Sequence, residues 1–240
     1  MILSVHQPQY MPWLGLFDKI AKSDCFVFLD QVQYKEREFQ NRNKIRTKDG
    51  WMWLTVPVQS SGTGRKKICD VLIDNSNGWR KKHFNSIKTW YQSSLYFNDY
   101  IPFFEDILSR ETERLVHINI DMMKYILKEL EITTPLYYEH NLGISATKTD
   151  RIIEICKKFK ATAYLSGEGG RGYLEEYKFD RAGIKLIYQK FKHPVYHQQY
   201  AGKGSAFIPY MSSVDLLFNE GPYSKQILIG EEVTHELQLK

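Results

Sequence analysis

The apolar residues of the chain alternate between strand-like runs and helix-like spacing. The segments Met1–Val5 and Cys25–Leu29 are short apolar runs rich in β-forming residues, which is the pattern of buried strands. Between them, from Leu14 to Ala21, apolar residues recur at the spacing of one helix face. A strand, a helix and a second strand of this length predict a βαβ unit whose two strands are parallel.

The rest of the chain continues this alternation with one antiparallel interruption. Asn43–Thr47 and Trp51–Val58 predict a hairpin that turns at Asp49-Gly50. A Gly/Ser-rich loop is predicted at 59–67 and a polar tail at 231–240. Further strands are predicted within 68–74, 161–166 and 183–191, and helices within 75–94, 100–132, 148–159 and 212–222.

These elements predict an α/β fold: a three-layer, mainly parallel, Rossmann-like sheet with a helical subdomain. We expect residues 1–75 to form the N-terminal α/β half, 76–145 the helical subdomain, and 146–240 the C-terminal half of the same domain. A parallel sheet of this kind binds ligands beyond the carboxyl ends of its strands. The segments that follow the strands are therefore the first places to look for a site.

Composition narrows the class of protein. The 240 residues are 42% hydrophobic and 25% charged, which are ordinary values for a globular domain. The net charge of +5 is compatible with an anionic substrate and does not by itself indicate nucleic acid. Cys25, Cys69 and Cys156 lie far apart without a CxxC pair, which favours reduced thiols over a disulfide or zinc site. With no signal peptide or membrane-spanning run recognised, a cytoplasmic location is expected.

The turn after the first strand, HQPQYMPWLG, carries the first candidate chemistry. Two prolines stiffen it, so its polar side chains can be held at little entropic cost. His6 and Gln7 are candidate catalytic residues, because an imidazole can move protons near neutral pH. Tyr10 and Trp13 are candidates for stacking on a base or a sugar. The competing interpretation is a tightly packed corner without chemistry.

Two further strand ends supply candidate substrate-binding residues. Asp30 and Gln33 follow the second strand. The sequence YLSGEGGRGYL runs from a strand into a glycine-rich loop, where backbone N–H groups can face an anion. The loop fits neither GxGxxG nor GxxxxGK[ST], and a mobile loop without a ligand is the alternative. Its candidates are Ser166, Gly167, Glu168, Gly169 and Arg171.

Basic residues form the last group of candidates. Arg42, Lys44 and Arg46 fall on one face of a predicted strand, where they could meet a diphosphate or form a solvated face. The cluster GRKK at 64–67 is a weaker signal. His83 follows three cations on a predicted helix and is a third candidate catalytic residue, with a structural role as the alternative. No metal site is predicted, because Pro194 interrupts the spacing of His193 and His197.

Four stretches together resemble the WbqC-like protein family: HQPQYMPWLGLFDKIAKSDCFVFLDQVQY, FQNRNKIRT, WLTVPV and YLSGEGGRGYL. The resemblance runs from Ile2 to about Ser224. It implies a role in the biosynthesis of O-antigen and other surface polysaccharides. For such proteins it also implies transfer of a glycyl or other aminoacyl group to an amino sugar.

Strand, His-containing turn and helix are also similar to the start of HIGH-type nucleotidylyltransferases, although this turn has one histidine and not an HxGH pair. Three hypotheses follow: an N-acyl transferase acting on a nucleotide-linked amino sugar, a nucleotidyl transferase, or a non-catalytic binding module in polysaccharide assembly. The expected partners are a nucleotide-linked sugar or another phosphorylated small molecule, with a tRNA or a carrier protein as possible acyl donor. The sequence identifies no cofactor and no oligomeric state.

Overall fold

The computed structural model describes residues 1–59, 66–202 and 205–231. Its strands are β1 (Ile2–His6), β2 (Cys25–Phe28), β3 (Arg42–Thr47), β4 (Gly50–Thr55), β5 (Leu136–Tyr138), β6 (Ala163–Ser166) and β7 (Lys185–Tyr188). Its helices are α1 (Leu14–Ala21), α2 (Trp79–Tyr91), α3 (Phe97–Ser109), α4 (Leu115–Glu129), α5 (Lys148–Lys158), α6 (Glu176–Arg181), α7 (Val214–Glu220) and α8 (Ser224–Ile229). The predicted tail, apart from residue 231, and most of the predicted 59–67 loop lie outside the described residues.

Five strands form a parallel sheet in the order β5-β2-β1-β6-β7. The central strand β1 pairs with β2 on one side and β6 on the other, so that Ser4 lies between Phe26 and Leu165. In chain order, β2 and then β5 add to one side of β1, and β6 and then β7 add to the other. The direction of winding therefore reverses between β1 and β6. This is the topological switch point at which open α/β sheets bind ligands.

Helices cover both faces of the sheet, which confirms the predicted three-layer α/β fold. Side chains alternate along β2, so that Cys25 and Val27 pack in a core with α5 and α6. Phe26 and Phe28 point to the opposite face and a larger core, to which α1 and the helices α2–α4 contribute. The helices of segment 76–145 thus share a core with the N-terminal half, and the same segment supplies β5. The boundaries at 75 and 145 stay a prediction.

The hairpin β3–β4 is antiparallel and pairs Arg42 with Thr55 and Thr47 with Gly50. The prediction of a strand within 68–74 is wrong: Ile68–Asp70 is a turn of 3-10 helix, followed by isolated bridges. Backbone bonds from Ile68 to Val32 and from Cys69 to Asp30 hold this turn beside the end of β2. Ile68, Val71 and Ile73 are buried, and a short apolar run of this kind is equally typical of a buried strand, so the pattern could not distinguish the two.

Gly170 fixes the geometry of the loop after β6. A Cβ atom at this position would stand 2.1 Å from Ser166 Oγ, inside van der Waals contact. We expect Gly170→Ala to lower the free energy of unfolding by about 1–3 kcal/mol, the usual cost of overpacking. Gly172→Ala is the matched control, because a Cβ there would meet open space. Urea denaturation measures both, and equal stability of the two variants would contradict the close approach.

Candidate functional site

A cleft of about 430 Å³ opens at the switch point, beyond the carboxyl ends of β1, β6 and β7. Three parts of the chain build it: β1 with α1, the loop after β6, and the segments that follow β7. It is lined by His6, Trp13, Gly15, Leu16, Lys19, Gly167, Glu168, Gly169, Gln189, Lys190, Phe191 and Tyr210. The structure thus brings together the two glycine- and histidine-containing turns that the sequence singled out separately.

His6 is held in the cleft as a neutral imidazole. Its Nδ1 lies 2.9 Å from the backbone oxygen of Gln7, and a carbonyl can only accept, so Nδ1 carries the hydrogen. Burial, and after it the positive charge of Lys19, together lower the pKa of His6 to about 3. At neutral pH the Nε2 atom therefore keeps its lone pair and can accept a proton or a hydrogen bond.

Lys19 is a buried cation without an anionic partner among the described residues. It is 3% exposed, and its Nζ donates to the backbone oxygen of Val5 at 3.0 Å. The neighbouring carboxylate of Asp18 binds Lys22 and Gln189. Burial lowers the pKa of Lys19 to about 7. A buried ammonium group is costly unless a counter-charge completes it, so an anionic ligand is the natural partner.

The loop after β6 forms the opposite side of the cleft, and part of this wall is main chain. Gly167 and Gly169 have no side chain, so main-chain atoms can approach a ligand closely there. Ser166 is buried, and its hydroxyl donates to Gly167 O at 3.0 Å. Arg171 lies outside the lining: its guanidinium pairs with Glu168 at 2.6 Å and stacks on Tyr188 at 4.0 Å. Glu168, with which Arg171 pairs, reaches the cleft directly.

Aromatic rings form the rim of the cleft, and we call them the rim cluster: Trp13, Phe191 and Tyr210. The Trp13 ring lies 5.4 Å from that of Phe191 and 5.8 Å from that of Tyr210. The indole folds over Gly15, where a Cβ would stand 2.2 Å from the ring. Tyr210 is 53% exposed and offers an open face. Such rings can stack on a base or on the apolar face of a sugar.

Tyr10 and His83 are placed in the core and not in the cleft. Tyr10 is 0% exposed, and its hydroxyl lies 2.9 Å from Nδ1 of His83. His83 also packs against Trp79. Neither ring offers a surface to a ligand in this structure, because α2 packs directly on the turn after β1. Gln7 is engaged elsewhere too, since its Oε1 accepts from Gln40 Nε2 at 2.6 Å.

The buried His83 makes the stability of the fold depend on pH in the acid range. Burial lowers the pKa of His83 from 6.5 to about 4. Between these values the unfolded chain binds more protons than the folded one, so stability falls as the pH drops from 6.5 to 4. We expect His83→Gln to reduce that slope relative to wild type, by at most about 1.4 kcal/mol per pH unit. Denaturation curves across this range measure it. The exposed His197→Gln is the control, and equal slopes in both variants would contradict the assignment.

The predicted basic row is divided between core and surface. Arg46 is 0% exposed, and its guanidinium donates to the backbone oxygens of Thr47 and Gly50, both at 2.7 Å. The guanidinium of Arg46 also donates to Ser205 Oγ at 2.5 Å and to the backbone oxygen of Ala206 at 3.2 Å. These bonds hold the hairpin to the segment at 205–206. Arg42 and Lys44 remain on the outer face of the hairpin. The structure does not bring any of the three into the switch-point cleft.

Asp30 lies in a second, larger cleft of about 910 Å³ between the ends of β2 and β5 and one face of α4. Its carboxylate is 1% exposed and binds both Nδ1 and the backbone N–H of His140. Gln33 is on the surface, where it forms an isolated bridge with Lys67. The sequence predicted one site joining the first turn, this segment and the glycine-rich loop. The structure separates Asp30 from the other two.

Sequence reasoning missed the residues that α1 and the C-terminal segments contribute. Lys19 could have been noticed, because it lies on a short helix whose other positions are largely apolar. Phe191 and Tyr210 gave no such signal, since they lie in irregular segments whose path depends on the packing of β7 and α7.

Comparisons with known proteins agree with the motifs. The profile of the WbqC-like protein family matches residues 7–227. The chain is 34% identical over 220 residues to "Uncharacterized protein Rv1507c" from Mycobacterium tuberculosis (strain ATCC 25618 / H37Rv), covering 91% of this chain and 94% of that protein. No solved structure matches the chain. Of the helices within the described ranges, none has the length and apolar character needed to cross a membrane. With the family match extending over nearly its whole length, the chain belongs to the WbqC-like protein family.

Proposed function

We propose that this protein is a transferase of surface-polysaccharide biosynthesis that N-acylates a nucleotide-linked amino sugar with glycine or a related aminoacyl group. The observation that carries the proposal is the pair formed by His6 and Lys19 at the switch point. A neutral imidazole and a buried cation that has no anionic partner within the described ranges line one cleft. This pair offers a proton acceptor beside a place for a phosphate.

The cleft offers positive charges for the phosphates of such a substrate and aromatic rings for its base or sugar. The ammonium of Lys19 would hold a phosphate oxygen of the nucleotide, and the rim cluster would stack on the base or the sugar ring. The exposed Lys190 adds a second positive charge at the same edge. Binding the phosphates here would place the sugar amine toward His6.

His6 would act as general base in the acyl transfer. The amine nitrogen attacks the acyl carbonyl carbon, a C–N bond forms, and Nε2 of His6 takes the proton that the amine loses. The carbonyl oxygen becomes an oxyanion, which the backbone N–H groups of the Gly167–Gly169 loop would stabilise. The bond to the donor's leaving group then breaks, and His6 returns the proton to that group. Bound phosphate would raise the low pKa of His6 by its negative charge, which strengthens the base when substrate is present.

The direct test is turnover by the purified protein. A nucleotide-linked amino sugar and an activated glycine, offered as thioester, adenylate or aminoacyl-RNA, are incubated with the enzyme and followed by mass spectrometry. The proposal expects an amide product one glycyl group heavier. A protein that binds the nucleotide sugar tightly but yields no amide with any donor class would instead support the binding-module hypothesis.

Nucleotidyl transfer is the second candidate, favoured by a specific feature of the first turn. His6 ends β1 and Lys19 lies on α1, both next to the switch point, where a nucleoside triphosphate could contact both. This reading expects CTP or ATP to bind with Mg²⁺ in the cleft. Isothermal titration that detects neither nucleotide at millimolar concentration would remove it.

A further inference from the structure

The β3–β4 hairpin and Phe39 just before it carry a row of aromatic rings and cations that are exposed or half-buried. We call it the hairpin ladder: Phe39, Trp53, Trp51, Arg42 and Lys44. The Trp53 ring lies 5.6 Å from that of Trp51 and 5.9 Å from that of Phe39. Arg42 stacks on Trp53 at 4.3 Å, and Lys44 lies 4.9 Å from the ring of Trp51. Rings and cations thus alternate along one surface.

The ladder is open to solvent at both ends. Trp51 is 46% exposed and Phe39 is 36% exposed, and both rings contact the same Trp53 ring. Exposed apolar surface of this kind, bordered by charge, marks interaction sites. The rings are also fixed by their mutual packing, so a ligand that stacks on them needs little reordering of side chains.

The two cations of the ladder have no carboxylate partner among the ion pairs of the described residues. Arg42 donates to the backbone oxygen of Arg37, and the ammonium of Lys44 lies over the rings of Trp51 and Trp53. A polyanion could therefore bind both without first breaking an ion pair. Its charge is complementary to the ladder, and its bases could stack on the exposed parts of Trp51 and Phe39.

The ladder adjoins the rim of the switch-point cleft. Ser212 donates its backbone N–H to the backbone oxygen of Lys44 at 2.8 Å. The same residue forms an isolated bridge with Trp13 and lies two positions after Tyr210, both members of the rim cluster. A ligand bound along the ladder is therefore next to the aromatic entrance of the cleft.

We propose that the hairpin ladder binds a single-stranded RNA segment, the 3′ end of an aminoacyl-RNA that delivers the acyl group to the cleft. Stacking of successive bases on aromatic rings, with cations following the backbone, is how single strands are bound without sequence preference. A folded protein donor would gain less from fixed, separated ring faces than unstacked bases do. The delivery of an acyl group rests on the proposed function; the binding of RNA does not.

The test measures binding of a fluorescein-labelled, single-stranded RNA oligonucleotide of mixed sequence by anisotropy at low salt. We expect Trp51→Ala, and the double variant Trp51→Ala/Trp53→Ala, to raise Kd by about 5- to 150-fold per stacked base lost. Arg42→Gln/Lys44→Gln should reduce the slope of log Kd against log salt by about 1.4, which corresponds to two single-strand phosphate contacts. The exposed α5 pair Lys157→Gln/Lys158→Gln removes the same charge elsewhere and should leave both quantities unchanged.

Several outcomes would overturn the proposal. They are absence of RNA binding by the wild type, unchanged affinity in the folded Trp51→Ala variant, and equal losses in the α5 control. Ladder-dependent binding of an acyl carrier protein in place of RNA would assign the surface to a protein donor. Because the assay involves no turnover, RNA binding without amide formation leaves the ladder proposal standing. Amide formation from a small synthetic donor without RNA binding leaves the proposed function standing.

Discussion

Replacing His6 by alanine should lower the rate of amide formation by about 10²- to 10⁴-fold, the usual contribution of a positioned general base. The loss should fall mainly on kcat, because Lys19, the glycine-rich loop and the rim cluster still bind the nucleotide sugar. Steady-state kinetics with the nucleotide-linked amino sugar measures the change. His6 is partly buried at the end of β1, so circular dichroism and thermal unfolding must show that the variant folds.

The exposed His197→Ala is the matched control and should retain wild-type kcat and KM. Wild-type turnover by folded His6→Ala protein would show that the imidazole is not the base. A second diagnostic is the addition of imidazole to the His6→Ala enzyme, which should restore part of the rate if the cavity left by the side chain admits it. Loss of substrate affinity with unchanged kcat would give His6 a binding role and contradict the proton transfer.

Replacing Lys19 by methionine should strengthen the fold and weaken the site. Methionine fills similar space and removes a buried charge for which the described part of the chain offers no anion. We therefore expect the free energy of unfolding to rise by about 1–4 kcal/mol at pH 7. The same change should cost at least tenfold in affinity for the nucleotide sugar, because one charge-assisted contact to phosphate is lost. Chemical denaturation and titration calorimetry measure the two effects on the same protein.

The pH dependence of stability tests independently whether the buried charge of Lys19 destabilises the fold. The pKa of Lys19 is lowered from 10.5 to about 7 by burial. Between these values the unfolded chain carries one more proton than the folded chain, so wild-type stability rises with pH across that range. The gain in the free energy of unfolding of the methionine variant over wild type is therefore largest at or below pH 7 and disappears toward pH 10.5. Lys22, the residue that follows α1, has a side chain that is 54% exposed, so Lys22→Met should show no such pH-dependent gain.

Binding of a phosphate-containing ligand should raise the lowered pKa of Lys19. A phosphate beside Lys19 favours its charged form, so wild-type protein at pH 8 should take up a proton when the nucleotide sugar binds. Calorimetry in two buffers of different ionisation enthalpy detects that proton. No uptake in wild type, or equal uptake in Lys19→Met, would place the phosphate elsewhere.

The sequence by itself determined the local elements and the family. The unit β1–α1–β2, the β3–β4 hairpin and the strand before the glycine-rich loop follow from local periodicity and turn chemistry, which do not depend on distant residues. Those same rules made His6 and the Gly167–Gly169 loop candidates, because both follow strands. The strand predicted within 68–74 was wrong because a short run with buried apolar residues is typical of a strand and equally compatible with the observed turn.

Only the tertiary structure decided which candidates meet. Strand order places the end of β1 beside that of β6, and no local pattern encodes which parallel strands become neighbours. His6 and Tyr10 lie four residues apart in one stiff turn, yet one faces the cleft and the other packs on His83 from α2. Arg42 and Arg46 share a face of one strand, but a segment near Ser205 covers only Arg46. Burial of Lys19 likewise depends on the strands over which α1 packs, because the pKa of a side chain is set by its whole surroundings.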